Sequence, residues 1–142
     1  MESATPAMAG SSVYMGGNTN IQEENMSNNP AIAKSIKTGD YNTNYHDYGS
    51  GDPVLLIHGS GPGVSSWANW QKVFPGLSKN RRVLGIDMRG FGYTERDEQH
   101  VYNMDIWTKQ AVDFLDAVGI EQTDLVGNSF GGALALSLAV NH

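Results

Sequence analysis

The sequence predicts an α/β fold in which a mainly parallel sheet is led in by an antiparallel N-terminal hairpin, and three observations carry that prediction. Short runs rich in apolar residues at 54–57, 82–87 and 123–127 have the length and branching of strands in a parallel sheet. Segments with helical spacing separate them, so strands and helices alternate in the way that gives right-handed βαβ units. Glycine-rich turns at 58–63 and 127–132 follow two of the runs, at the carboxyl ends of strands, where open α/β sheets place their sites.

Residues 1–30 are rich in Gly, Ser, Asn, Ala and Met and hold no Lys or Arg. They show neither strand nor helix period and are expected to form a disordered leader, because they cannot bury enough apolar surface to offset the entropy of ordering. Residues 31–142 are expected to hold the folded domain. Between Ala31 and Tyr48, alternating Ile, Thr and Tyr residues around Gly39-Asp40 predict the hairpin, at an edge of the sheet. His46, in its second strand, has no partner in spacing and reads as structural. Val54-Leu55-Leu56-Ile57 is the first buried strand.

Ser65 or Ser66 can then cap a helix whose Trp67, Trp70, Val73, Phe74 and Leu77 share one face, with Pro75 forcing a kink or an early end. The next strand is Arg82 to Asp87, and the loop after it reads as a packing element, which argues against Asp87 as a catalytic acid. Asn103 can cap a helix through about Val118, with Met104, Trp107, Ala111, Phe114, Leu115 and Val118 as its buried stripe and Gly119 as its stop.

Composition excludes several classes of function. A formal net charge of -6 argues against nucleic acid or an anionic membrane as partner, since nothing would neutralise phosphates. The absence of cysteine removes disulfides, thiolate metal sites and cysteine nucleophiles. No cluster of ligands stands at metal spacing, and no metal or organic cofactor is expected. The longest apolar run, near Ala133 to Val140, is far shorter than a membrane span, and no basic-then-apolar signal opens the chain. A soluble, cytoplasmic protein is expected.

Chemistry concentrates at Gly127-Asn128-Ser129-Phe130-Gly131, a G-x-S-x-G pattern with a strand before it and an Ala/Leu-rich helix after it. Such a nucleophile elbow pushes a serine hydroxyl out of the sheet, so Ser129 is the candidate nucleophile. Flanking side chains would collide across so tight a turn, which calls for Gly127 and Gly131, and Gly132 is expected to let the helix approach the strand. Ser129 also stands at a helix N-terminus, where free N–H groups favour a developing negative charge.

His58-Gly59-Ser60-Gly61-Pro62-Gly63 is either a phosphate cradle or an oxyanion loop. Val64 stands where the dinucleotide fingerprint needs a third glycine, and Pro62 removes an N–H that a phosphate nest would use. The oxyanion reading is preferred, with His58 holding the loop rather than acting as a base.

These motifs, with Trp67-Ala68-Asn69-Trp70 and the loop Asp87 to Thr94, resemble the first half of an α/β-hydrolase, and within that fold the meta-cleavage product hydrolases of aromatic degradation. The resemblance covers about Ile32 to His142. It implies carbon–carbon cleavage of a small-molecule 2-hydroxy-6-oxo-2,4-dienoate such as 2-hydroxymuconic semialdehyde. Carried over by position, it makes Ser129 the triad serine and the N–H groups of Ser60 and Phe130 the oxyanion hole. It also makes Gly59, Gly61, Asn69 and Asn128 positions that bind the dienoate. A carboxylesterase on the same fold and a non-catalytic binding module of that fold are the alternatives. Haloalkane dehalogenases and epoxide hydrolases fit less well, because they use a carboxylate where Ser129 stands.

In that fold the triad runs Ser, Asp or Glu, then His along the chain. His142, at about 1.5 Å per residue along the intervening helix, lies roughly 20 Å from Ser129 and is no candidate for its base. The chain is therefore expected to be the N-terminal portion of an incomplete hydrolase domain, truncated after the elbow helix and inactive alone. A homo-oligomer stays open for the full-length protein.

Overall fold

Strand formation follows the apolar runs. In the computed structural model, which describes residues 28–142, β1 (Lys34–Thr38) and β2 (Tyr41–Tyr48) pair antiparallel across a turn in which Gly39 has φ 70°. β3 (Pro53–Ile57) and β4 (Arg82–Ile86) pair in parallel, with Leu55 opposite Leu84 and Ile57 opposite Ile86. β5 (Asp124–Gly127) pairs in parallel with the other side of β3. The sheet order is β1-β2-β4-β3-β5. The hairpin thus takes one edge, as its pattern predicts. The expected leader lies almost entirely outside the described residues.

Period-two alternation divides β3 and β4 between two faces, each buried. Leu55, Ile57, Leu84 and Ile86 point to one side, where α3 (Met104–Ala117) and α4 (Phe130–Asn141) bring Phe114 and Leu134. Val54, Leu56 and Val83 point to the other, against Phe74, Trp67, Trp70 and Leu77 from α1 (Ser66–Trp70) and α2 (Phe74–Leu77). Two covered faces explain why these runs are continuously apolar rather than alternating. Gly85 has a packing reason: a β-carbon there would meet the Phe74 ring at 3.0 Å and collide with Ser66 Oγ.

Three expectations change. The single helix expected after Ser65 is two short ones, and Pro75 stands in the first turn of α2, where its missing N–H leaves nothing unpaired. Val73, at the junction, is 39% exposed and does not join the buried stripe. β5 is not a strand buried on both faces: Val126 is 43% exposed, since among the described residues β5 is an edge.

The caps hold. Ser65 Oγ accepts from Ala68 N at 3.0 Å, and Asn103 Oδ1 accepts from Ile106 N at 3.0 Å. His46 is buried and stacks on Trp67 and Phe74 at 5.5 and 5.3 Å, a structural place as expected. Among the described residues no helix is long and apolar enough to cross a membrane.

Candidate active site

The site grows out of the register of β3 and β5. Ile57 pairs with Gly127, so the residues that follow each strand leave the sheet side by side. Asn128 N then donates to Ile57 O at 3.1 Å, which extends the pairing one step into the turn. Ser129 comes next, at φ 58° and ψ -114°, and among the described residues it is the only non-glycine with positive φ. Such a conformation costs on the order of 1–3 kcal/mol and persists only where surrounding structure dictates it.

Glycines dictate it here. A β-carbon at Gly127 would collide with the backbone of Gly131 and Gly132, and one at Gly131 would collide with Ile57 O. Gly132 differs from expectation: its nearest neighbour would be Gly127 O at 3.4 Å, so Gly131 is the residue that lets helix and sheet approach. The strained turn leaves the Ser129 residue exposed at the N-terminus of α4. Its side chain makes no capping bond, and among the described residues no histidine is bonded to it.

The loop after β3 is tied to the elbow through Asn69. Gly59 N donates to Asn69 Oδ1 at 2.7 Å, and Asn128 Nδ2 donates to the same oxygen at 3.2 Å. Because a backbone N–H requires an acceptor, this arrangement fixes which end of the Asn69 amide is oxygen, and in turn which end of Asn128 is nitrogen. Gly59 N–H is therefore spent, and the N–H groups of Ser60 and Phe130 donate to no protein acceptor among the described residues. Gly61 stands apart: its φ of 143° demands glycine, but a β-carbon there would meet nothing within 4 Å.

His58 is fully buried behind this loop. Its Nδ1 lies 2.6 Å from Gly59 O, and its Nε2 lies 2.9 Å from Met88 N. A carbonyl needs a donor and an N–H needs an acceptor, so His58 is the neutral Nδ1–H tautomer. Burial lowers its pKa from the ordinary histidine value, against smaller opposing effects of the Gly59 carbonyl and the Asp87 carboxylate. With both nitrogens engaged, it is no general base.

Asp87 is likewise structural, as its loop suggested. Its Oδ1 accepts from Ser66 N at 2.7 Å, and its Oδ2 accepts from Asn44 Nδ2 at 2.9 Å and Tyr93 N at 2.8 Å. Beside the elbow, Phe130 packs edge-on against Trp107, 4.7 Å between centroids, and against Phe91 at 5.8 Å. Phe91 in turn meets the His58 ring at 5.3 Å. Sequence reasoning assigned Trp107 only to a helix stripe and missed this wall, because spacing along one helix carries no information about which loop will meet it.

The structure thus joins Gly59, Asn69 and Asn128 by direct bonds and sets Ser60, Ser129 and Phe130 beside them. An exposed serine with unspent N–H donors in its own turn and in the adjoining loop is an arrangement that can stabilise a tetrahedral oxyanion.

Comparison with known proteins is consistent with that chemistry. The sequence model described as the alpha/beta hydrolase fold matches residues 52–142. The chain is 56% identical over 115 residues to a 2-hydroxymuconate semialdehyde hydrolase of Pseudomonas sp. strain CF600, covering 81% of this chain and 41% of that one. It is 49% identical to a 2-hydroxy-6-oxo-2,4-heptadienoate hydrolase of Pseudomonas putida, covering 79% of this chain and 41% of that protein. A meta-cleavage product hydrolase from Pseudomonas fluorescens, solved as a complex with acetates, superposes with TM-score 0.79 at 50% identity over 80% of this chain and 42% of its own. The chain spans about 41% of the length of these curated relatives.

Proposed function

The chain belongs to the alpha/beta hydrolase fold family, and from that we propose that the protein is a serine-dependent hydrolase that cleaves a carbon–carbon bond in 2-hydroxy-6-oxo-2,4-dienoates, the ring-fission products of aromatic degradation. The observation that carries the proposal is Ser129, strained at the β5–α4 junction beside the unspent N–H groups of Ser60 and Phe130. The names of the relatives supply the substrate class.

In this reading the dienol first ketonises, its 2-hydroxyl losing a proton while C5 gains one. An oxygen nucleophile, that of Ser129 or of a water it activates, adds to the C6 carbonyl. The resulting oxyanion is held by Ser60 N–H and Phe130 N–H, which are fixed before the charge develops and need no reorganisation. The C5–C6 bond then breaks as the oxyanion collapses, its electron pair passing into a dienolate that takes up the proton shed by the nucleophile. An acyl-Ser129 is then hydrolysed by water, whereas attack by water itself releases the carboxylic acid directly. Asn69 retains amide hydrogens and Asn128 its side-chain Oδ1, which no described residue engages. With Gly61 they would receive the carboxylate and enol end, and Gly59, whose N–H and carbonyl are both engaged within the protein, would only line it.

The test is an assay of the full-length protein with 2-hydroxymuconic semialdehyde, followed by loss of its visible dienolate absorbance. Turnover by the wild type, with Ser129→Ala slower by roughly 10³-fold or more, is expected. Turnover of simple esters with the dienoate untouched would replace this reading by a carboxylesterase. Binding of the dienoate without turnover of either substrate would leave a binding module.

A further inference from the structure

Gly59 is gripped at both ends. Its N–H donates to Asn69 Oδ1 at 2.7 Å, and its carbonyl accepts from His58 Nδ1 at 2.6 Å. That carbonyl belongs to the Gly59–Ser60 peptide, whose other polar group is the Ser60 N–H. No peptide among the described residues is cis. In a planar trans peptide the C=O and N–H point in opposite directions, so a bond that fixes one fixes the other. His58 pulls the carbonyl inward, toward the buried side of the loop where it is itself fully enclosed. The Ser60 N–H is thereby turned the other way.

We propose that His58 and Asn69 are positioning residues that act as one clamp on Gly59, aiming the Ser60 N–H as an oxyanion donor. The inference rests on the serine-hydrolase reading and adds a role that His58 and Asn69 play through Gly59, separate from the contact that the Asn69 amide hydrogens make with substrate. Each has a second anchor outside the loop. His58 Nε2 accepts from Met88 N at 2.9 Å, at the end of β4. Asn69 Oδ1 also takes Asn128 Nδ2 at 3.2 Å, next to the serine. The clamp thus references the first oxyanion donor to the core of the sheet on one side and to the nucleophile on the other. A glycine suits the gripped position, since a β-carbon at Gly59 would come within 3.1 Å of Asn128 Nδ2 and 3.2 Å of its carbonyl oxygen.

Two measurements test the clamp independently of each other. The first is the imidazole nitrogen NMR of His58 in the wild-type protein. A protonated Nδ1 and a bare Nε2 are expected, and the reverse tautomer would overturn the proposal whether or not the protein hydrolyses anything. The second compares Asn69→Leu, which keeps volume but removes the acceptor, with Asn69→Asp, which keeps it, in the full-length enzyme on a dienoate. Both variants lose the amide hydrogens that face the substrate, so KM should rise in both, and a misaimed donor should in addition lower kcat about 10- to 100-fold in the Leu variant. The Asp variant should recover most of that kcat, and Gly59 amide exchange should be fast in the Leu variant only. A rise in KM with kcat intact, or an Asp variant no better in kcat than Leu, would make Asn69 a mere substrate contact. Absence of turnover in the wild type refutes the hydrolase reading, and the tautomer and amide exchange still decide whether Gly59 is clamped.

Discussion

Gly131 lies so close to Ile57 that a β-carbon on it would collide with the Ile57 carbonyl oxygen and come within 2.6 Å of that of His58. The contact joins the first turn of α4 to the end of β3 and constrains where the elbow can sit. The Ile57 carbonyl cannot retreat far, since it accepts from Asn128 N at 3.1 Å.

Gly131→Ala should therefore destabilise the protein by about 1–3 kcal/mol or more, as overpacking against backbone does. Gly132→Ala should be neutral or stabilising by up to about 1 kcal/mol, because it meets only ordinary contact and gains helix propensity. Urea denaturation of the two variants reads the difference. Equal effects would mean that the two glycines share the strain of the turn.

Ser129 offers a second contrast, between stability and chemistry. Its left-handed backbone costs on the order of 1–3 kcal/mol, and its side chain makes no capping bond whose loss would offset relief of that strain. Ser129→Gly should raise the midpoint of thermal unfolding while abolishing turnover, the net gain being reduced by about 0.4–1 kcal/mol of extra freedom in the unfolded chain. A lower midpoint would show that the serine side chain stabilises the elbow in a way the hydrogen bonds do not display.

How much of this is legible in the sequence depends on how local the cause is. The elbow, the caps at Ser65 and Asn103 and the hairpin around Gly39 follow from residues within a few positions of one another, and each stands where its pattern predicts. The exposure of Val126 at an unpaired edge follows from the resemblance, whose fold has later strands, and not from the local pattern, because a four-residue strand cannot report whether a neighbour lies on its far side. Nor does the local pattern give the exchange of roles between Gly131 and Gly132, which turns on which of two adjacent residues faces β3. The amide of Asn69 is ten positions from Gly59 and fifty-nine from Asn128, so only the fold brings the three together.

Asp87 is an example of the same kind, with a measurable consequence. Three separate stretches of chain donate to its buried carboxylate, through Ser66 N, Asn44 Nδ2 and Tyr93 N. Asp87→Asn is nearly isosteric but turns an amide nitrogen toward at least one of those donors. With a buried polar group left unpaired costing about 1–3 kcal/mol, the variant should be less stable by roughly 2 kcal/mol or more. Chemical denaturation measures it, and a change below about 0.5 kcal/mol would mean that the loop is held by its other bonds, such as Thr94 Oγ1 to Asp87 O at 2.6 Å.

His58 makes stability depend on pH with a definite sign. Burial, the largest effect, lowers its pKa in the folded protein, while the Gly59 carbonyl and the Asp87 charge oppose this only in part. In the unfolded chain the group titrates near its ordinary value of about 6.5. The unfolded state therefore binds the proton more readily, and folding is favoured wherever the imidazole is neutral in both states. This contribution is complete above about pH 6.5 and is lost as pH falls through the depressed folded value. Protonation would also place a donor at Nε2 against Met88 N–H, which itself needs an acceptor. Unfolding free energy measured from pH 7.5 downward should fall, and His58→Phe, which keeps a ring beside Phe91 but cannot titrate, should flatten that fall. An unchanged slope would assign the acid sensitivity to other groups and show that His58 does not change protonation on unfolding.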